Sequence, residues 1–597
     1  MIFRIMLCFV LFVIFSGAQS IAGIVAETKS VTGEPRTFAV FQTDPTRHPL
    51  DISLTAPQRT WKSPGHTYYY VDSWHGDDTN DGLSEARPWR SLNRVNAGEF
   101  AAGDKILLRA GCRWRGFLSP GGSGAAGQPI VIDQYGRGSK PRINAEASSL
   151  ATVFLSNSEY IEVRNLDVAN AGSVSQPKLK GVQVSENDFG TAHDIVLKDL
   201  YIHDVNGSND KQTGGSGIYC DCGGNKIKSR FDRLLIEHCH LVHTDRNGIT
   251  MGGNWQRDHW YPSLRVVIRG NLLEDIGGDG IVPLACDGAL VEYNIVHGGR
   301  MRAEDCAAGI WPWSCDNTVV QYNEVSGMKG TCDGEGYDSD YNCRGTLFQY
   351  NLSHNNDGGF MLICNNGGLR KPKSIGNINT IIRYNISVND RLHTFNITGP
   401  CQNTLICNNV LYVGKKQVVN AISSGNWGNA WPDDTCFINN IFYVDKGGSA
   451  SFDLGGMTTV VFDHNAFWGQ FKSRPTDVHA VISNPRLIAP GSLRSRGYAP
   501  GPGSPCLNAG VPVFDKRVHD FRGRLRIADT APSIGAFPDS VMTNPLPIAG
   551  ADVPGADPAR CAREAHPWFQ EQNESKTRRQ PAEGQLTAET SRHRRCF

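Results

Sequence analysis

Eight consecutive residues, Asp333-Gly-Glu-Gly-Tyr-Asp-Ser-Asp340, carry four carboxylates. Like charges this close repel unless protons, a cation or a bound substrate offset them, so the run marks a place for proton transfer or cation binding. Slightly earlier the chain reads Trp311-Pro-Trp313, and indole faces stack on the apolar C–H side of sugar rings. Together these residues suit cleavage of a glycosidic bond, in which a pair of carboxylates supplies acid and base. On an extended strand Asp338 and Asp340 project to one side, about 6.6 Å apart by the rise per residue. That spacing fits an inverting pair, which needs about 6.5–9.5 Å, with Glu335 a third carboxyl at the preceding turn. Asp279 and Asp333 are the residues expected to hold a cation instead, calcium being the ion that oxygen ligands suit.

Several neighbours extend this candidate site. His354 is a titrating imidazole able to act as acid or base, and Lys329, Arg344 and Asp357 are possible substrate contacts or ordinary turn residues. Two aromatic loops, Gly253-Asn-Trp-Gln-Arg-Asp-His-Trp-Tyr261 and Gly425-Asn-Trp-Gly-Asn-Ala-Trp431, offer further sugar subsites or packing plugs, with Trp255 the leading contact. The loop Gly76-Asp-Asp-Thr-Asn-Asp-Gly82 reads as an Asx-rich turn or a structural calcium loop. Cys220-Asp-Cys222, with Cys239 and His240 following, lacks the spacing of a zinc site and reads as disulfide or buried thiol.

A repeat supplies the elements that must position these groups. A few β-formers, one aromatic or polar residue and then Asn recur at Asn294, Asn323, Asn351, Asn385, Asn409, Asn440 and Asn465, in steps of 29, 28, 34, 24, 31 and 25 residues. Degenerate copies lie earlier, near Ile161, Ile195, Leu235 and Asn271. One irregular period of this length is one coil of a β-solenoid plus variable loops. The fold class expected is all-β, a right-handed parallel β-helix of roughly a dozen coils. Stacked asparagines would hydrogen-bond from coil to coil, which makes Asn351 and Asn385 poor glycosylation acceptors despite their Asn-x-Ser motifs.

Aligning coils on Gly248-Ile249, Gly280-Ile281, Gly309-Ile310, Gly336-Tyr337 and Gly359-Phe360 predicts Ile281, Ile310, Tyr337 and Phe360 inward. Thr250, Val282, Trp311, Asp338 and Met361 then face outward, followed two residues on by Gly252, Leu284, Trp313, Asp340 and Ile363. Trp311 and Trp313 therefore stand beside Asp338 and Asp340 on one exposed face. Cys286 and Cys315 share a column at a spacing a disulfide can bridge.

The Asn-ending rungs, the opening Tyr70-Val-Asp-Ser-Trp-His-Gly-Asp-Asp-Thr-Asn-Asp-Gly82, the segment Gly103-Asp-Lys-Ile-Leu-Leu-Arg, and the closing Ser504-Pro-Cys-Leu-Asn-Ala-Gly510, Asp520-Phe-Arg-Gly-Arg524 and Ser533-Ile-Gly-Ala-Phe537 resemble secreted right-handed parallel β-helix proteins of the pectate-lyase-like superfold. That resemblance implies a polysaccharide lyase, glycoside hydrolase or epimerase. Asn355-Asn-Asp-Gly-Gly-Phe-Met-Leu-Ile363 is similar to the calcium-and-lysine region of one pectate lyase class, but Met361 stands where that class has its lysine. The Gly-His-Gly of polygalacturonases is also absent. The leading expectation is a secreted glycoside hydrolase acting on a polysaccharide. The alternatives are a calcium-assisted polysaccharide lyase and a noncatalytic glycan-binding surface protein.

The chain has 597 residues, with 59 Lys+Arg and 59 Asp+Glu. The first twenty residues, read as a signal peptide, contain only Arg4 among charged residues. The remainder carries 58 basic against 59 acidic groups, so net charge offers no drive toward nucleic acid or anionic membrane. No later stretch is long and apolar enough for a membrane span. Of 17 cysteines, Cys8 lies in the signal, leaving an even sixteen suited to an oxidising compartment. The expected organisation is 1–20 signal peptide, 21–65 N-terminal extension, 66–540 β-helix with caps and 541–597 flexible tail, in a secreted or periplasmic monomer.

Overall fold

A computed structural model describes residues 56–172, 175–368, 372–513 and 531–537. The expected signal peptide and tail, and the Asp520–Arg524 motif, lie outside the described residues. Among the described residues no helix is long and apolar enough to cross a membrane.

Each coil contributes short strands to three parallel faces, and every strand pairs with its counterpart one coil away, as in Ile161↔Ile195 and Val320↔Phe348. The first face runs from Tyr68–Val71 to Thr458–Asp463, and the second stacks thirteen strands from Arg113–Arg115 to Ala466–Trp468. The third face is interrupted. A five-stranded block, Ala151–Ser156 to Ile281–Val282, is separated from a six-stranded block, Glu335–Ser339 to Phe471–Lys472, by a coil that joins its neighbours there through isolated bridges, among them Ile281↔Ile310, Leu284↔Trp313 and Ile310↔Tyr337. Pro312 stands two residues after Ile310, whose own N–H donates to Gly336 O at 3.0 Å. A proline there has no N–H to continue the series, so pairing thins. The molecule is the right-handed parallel β-helix expected, the hand that parallel crossovers take.

The asparagine ladder is continuous and buried. Each Oδ1 accepts both the backbone N–H and the Nδ2–H of the preceding rung: Asn271 to Asn294, then Asn323, Asn351, Asn385, Asn409, Asn440 and Asn465, at 2.9–3.1 Å. Burial removes Asn351 and Asn385 from any glycosylating enzyme. The residue before each of these asparagines turns the corner in the left-handed region, with φ 55–59° at Tyr322, Tyr350 and Tyr384. That conformation is costly for a large side chain. Stacking offsets it: successive rings lie 5.1 Å apart (Tyr293/Tyr322), 4.9 Å (Tyr322/Tyr350) and 5.6 Å (Tyr350/Tyr384).

Glycine is required at the entry to the third face. A Cβ on Gly309 would lie 2.4 Å from Gly336 O of the next coil. The alignment on this glycine slips once. Glu335 pairs with Gly359 and Tyr337 with Met361, because the turn uses two glycines, and Gly358, not Gly359, answers Gly334 through an N–H···O bond of 3.0 Å. Met361 and Ile363 therefore sit in the core, and Leu362 and Cys364 take the outward places expected of them.

The cysteine column corrects another expectation. Cys286 and Cys315 are neighbours but remain thiols, with Cys286 N–H donating to Cys315 Sγ at 3.3 Å. Buried inside the coil, each thiol turns to a carbonyl, Cys286 to Leu284 O and Cys315 to Trp313 O. Among the described residues a disulfide instead joins Cys306 to Cys332, between the turns that lead into Trp311 and Glu335. Cys220, Cys222 and Cys239 are buried thiols, while His240 faces Glu274 at 2.8 Å.

Candidate active site

Asp338 lies in one column with Trp311 and Val282, and Asp340 in the next with Trp313 and Leu284. The exposed face expected there is a crevice instead: Glu335 and Asp338 are each 2% exposed and Trp311 5%, whereas Asp333 and Asp340 keep partial access to solvent. Three insertions from distant coils cover the face. The first carries Lys211, whose N–H donates to Asp305 at 2.9 Å and whose ammonium reaches Cys306 O at 3.2 Å and lies 5.7 Å from the Trp311 ring. The second holds Trp255, 5.2 Å from Trp313, and is tied down by Trp260 Nε1–H to Ser314 O at 3.0 Å and by Arg257 to Asp316 at 2.8 Å. The third brings Trp427 to 5.0 Å from Tyr341, which lies edge-on 6.1 Å from Trp313. The aromatic loops are thus both packing plugs and part of the crevice wall.

One oxygen each of Asp338 and Asp340 lies within 4.8 Å of the other and of Cys364 Sγ. At least one pair of their oxygens is thus closer than the backbone rise of about 6.6 Å that underlay the inverting expectation. Their surroundings differ. Burial, then the Asp340 charge, raises the Asp338 carboxyl well above the carboxylate range, and its Oδ1 has no hydrogen-bond partner. Asp340 is pushed up to about 6 by burial, held lower by the Cys364 thiol at 3.1 Å and the Tyr341 N–H at 2.6 Å. Burial and then the Asp333 charge raise Glu335 to about 8, against a hydrogen bond from Asn396. Burial also raises Asp333, against Lys211. The pocket therefore holds neighbouring carboxyls with separated proton affinities, the property that acid/base pairs need.

A buried cation braces this arrangement. Arg246, 1% exposed, pairs through Nη2 with Asp279 at 3.2 Å and Asp305 at 3.0 Å, and donates to Cys306 O. Asp279 Oδ1 accepts Trp311 Nε1–H and the Ala308 N–H, both at 3.0 Å. Asp279 is thus already neutralised by a guanidinium and acts to position Trp311, where a cation ligand was expected. Arg246→Met should cost about 3–5 kcal/mol, because it leaves Asp279 and Asp305 without their counter-charge; denaturant unfolding measures it. Activity should fall more than stability explains, since Trp311 loses its anchor.

The remaining sequence-predicted residues scatter. His354 is on the second face, paired with Glu324 at 3.1 Å, because the turn after it separates that face from the strand that bears the acids. It does not join the site. Lys329 is an exposed turn residue whose carbonyl accepts from Arg300. Arg344 pairs with Asp316 at the start of the first face, and Asp357 binds the Gly330 N–H and Arg391 at a turn. In the Gly76–Gly82 loop, the carboxylates of Asp77 and Asp81 accept the Thr79 and Leu83 N–H groups, as in Asx turns, and Asp78 accepts the Ser91 N–H from beyond the loop. Sequence reasoning missed Lys211, Arg246, Asn396, Tyr341 and Cys364. Only Cys364 carried a signal, through its column.

No family model matches the chain. Lacto-N-biosidase from Bifidobacterium longum subsp. longum is 28% identical over 80% of this chain and 36% of its own length, so the chain spans about a third of that relative. The crystal structure of GH136 lacto-N-biosidase from Eubacterium ramulus is 28% identical, with a TM-score of 0.51 over 66% of this chain and 68% of that one. Its selenomethionine derivative gives 29%, 0.51, 65% and 68%. The chain is a parallel β-helix protein similar in sequence and fold to lacto-N-biosidases.

Proposed function

We propose that this chain is a secreted glycoside hydrolase of the lacto-N-biosidase kind, working as a monomer by a retaining mechanism. The observation that carries the reading is the Asp338–Asp340 pair, with oxygens within 4.8 Å in an aromatic-walled crevice. Retaining pairs sit about 5–5.5 Å apart, too close to admit a water between them and the sugar. Asp338, held protonated by burial, gives its proton to the glycosidic oxygen as that bond breaks. Asp340, the more acidic and more accessible of the two, attacks the anomeric carbon and forms a glycosyl ester. Water, deprotonated by Asp338, then displaces Asp340 and frees the sugar with its configuration retained. Trp313 and Tyr341 flank the reacting ring. Hydrolysis through this pair draws on no cofactor, and an extracellular setting suits the Cys306–Cys332 disulfide.

A second reading places Asp333 as the proton donor, because it shares with Asp340 the partial access to solvent that Asp338 lacks. Asp333→Asn against Asp338→Asn separates the two: the true donor's variant loses natural substrates yet still cleaves a nitrophenyl glycoside, whose leaving group needs no proton.

The test is incubation with a chromogenic lacto-N-bioside and a polysaccharide panel, with and without chelator, following reducing ends, unsaturated-uronate absorbance and product anomer together. Chelator-insensitive reducing ends of retained configuration support the proposal. Unsaturated ends lost on chelation would replace it by a calcium lyase. Sugar binding without new ends would replace it by a glycan-binding protein.

The proton affinities set a pH dependence. Activity needs Asp340 ionised and Asp338 protonated, so kcat/KM should rise through about pH 6 and fall where the raised Asp338 loses its proton. The alkaline limb should vanish when the donor variant acts on the nitrophenyl substrate.

A further inference from the structure

At the C-terminal end of the solenoid, away from the acidic crevice, Asp463, His464 and His479 bring one ligand atom each within 4.8 Å of one another. Asp463 Oδ1 lies 2.7 Å from His479 Nδ1 and 2.9 Å from His464 Nδ1, and the imidazoles are 4.5 Å apart between centroids. The His464 backbone takes φ 54°, at the corner where coils above place tyrosine or asparagine, so the ring occupies the corner position beside the last ladder asparagine. His479 arrives from the segment that closes the solenoid. There Asp477 substitutes for the next ladder asparagine: its Oδ2 accepts both the Asn465 N–H and Nδ2–H at 2.9 Å, and its Oδ1 accepts the His479 N–H at 3.1 Å. The hydrogen bond that ends the ladder therefore fixes the backbone of one of the ring-bearing residues.

We propose that Asp463, His464 and His479 form a zinc site that staples the closing segment to the last coil. Two imidazoles and a carboxylate are a standard three-ligand set for this ion, with bonds of about 2.0–2.2 Å that separate tetrahedral ligand atoms by about 3.3 Å. The pairs to Asp463 need to open by only about half an ångström to reach that geometry. Zinc takes the Nδ1 lone pairs of neutral imidazoles and a carboxylate oxygen, any Nδ1 proton leaving to solvent. His479 is 58% exposed at its side chain, which leaves the fourth position to water. The staple holds the end of the ladder, where Asp477 stands in for a further asparagine on Asn465, and it is independent of the glycosidase reading.

The test uses the full chain, without affinity histidines, stripped by chelator and titrated with zinc by calorimetry and with cobalt by visible absorption. The wild type should bind one more zinc per chain than His464→Ala/His479→Ala, gain thermal stability on zinc addition and give the intense visible bands of tetrahedral cobalt. Asp340→Asn should keep all three properties, which separates this site from the Asp338–Asp340–Cys364 cluster. If the double variant does not fold by circular dichroism, His479→Gln alone must weaken zinc at least tenfold. Equal zinc stoichiometry and affinity in wild type and variant, or a wild type without the cobalt bands, would overturn the proposal.

Discussion

Asp340→Asn should lower kcat by about a thousandfold or more on any glycan the protein hydrolyses, within the range that removal of a positioned acid, base or nucleophile produces. The reasoning rests on position and charge. Asp340, at about 6, ionises before Glu335 and the strongly raised Asp338, and it keeps access to solvent. An amide there retains the Tyr341 N–H contact of 2.6 Å through its oxygen but is neutral and too weakly nucleophilic to form the glycosyl ester. Folding should be unharmed, since the substitution removes a charge from a crowded acidic pocket; thermal unfolding alongside single-turnover kinetics checks both halves. An Asp340→Asn variant with full activity would remove Asp340 from the chemistry. Added azide should restore turnover by attacking in place of the carboxylate and releasing a glycosyl azide of inverted configuration, an outcome a proton-donor role does not produce.

The second large effect concerns the ladder. Asn351 Oδ1 accepts the Asn323 N–H at 3.0 Å and its Nδ2–H at 3.1 Å, and Asn351 Nδ2 donates to Val320 O at 2.9 Å and to Asn385 Oδ1 at 3.0 Å. All of these groups are buried away from water. Asn351→Ala strands donors and acceptors that each cost about 1–3 kcal/mol when unpaired, and it breaks a chain of bonds that polarise one another. A loss of about 3–5 kcal/mol is expected, measured as a fall in the urea midpoint at unchanged slope. Asn351→Asp tests the geometry separately: it keeps the two accepted bonds but loses the two donated ones, and should lie between alanine and wild type near neutral pH. A solenoid transmits such a defect to its neighbours, because each coil is stabilised chiefly by the next.

The fold was legible because its main signal is local and repeated. Asparagine returning every 24 to 34 residues, after a short run of β-formers, has few physical meanings other than one coil per return. The acidic run was legible for a related reason: four carboxylates in eight residues need a compensating environment wherever they lie. Column reasoning also set Asp338 and Asp340 beside Trp311 and Trp313, since side chains alternate on a strand. It failed at Gly358-Gly359, where two glycines offered two registers and only contact with the preceding coil selects between them. His354 was misplaced by proximity in sequence, as the four-residue turn after it carries the chain to another face. The cysteine column was correct in placement and wrong in bonding, because sharing a column says nothing of which way each thiol turns.

By itself, then, the sequence determined the solenoid, its asparagine spine and the strand that carries the acids, because those depend on periodicity and on residues close together in the chain. Only the tertiary structure decided that the acids lie in a crevice and that Asp338 and Asp340 converge within 4.8 Å. It also decided that Lys211 and Arg246, from coils long before the acidic run, reach this pocket, and that Asp279 serves Trp311. Proton affinities follow from burial and from charges brought near by folding. Those quantities have no trace in residue spacing, since each depends on what lies across the crevice and not on what lies next in the chain.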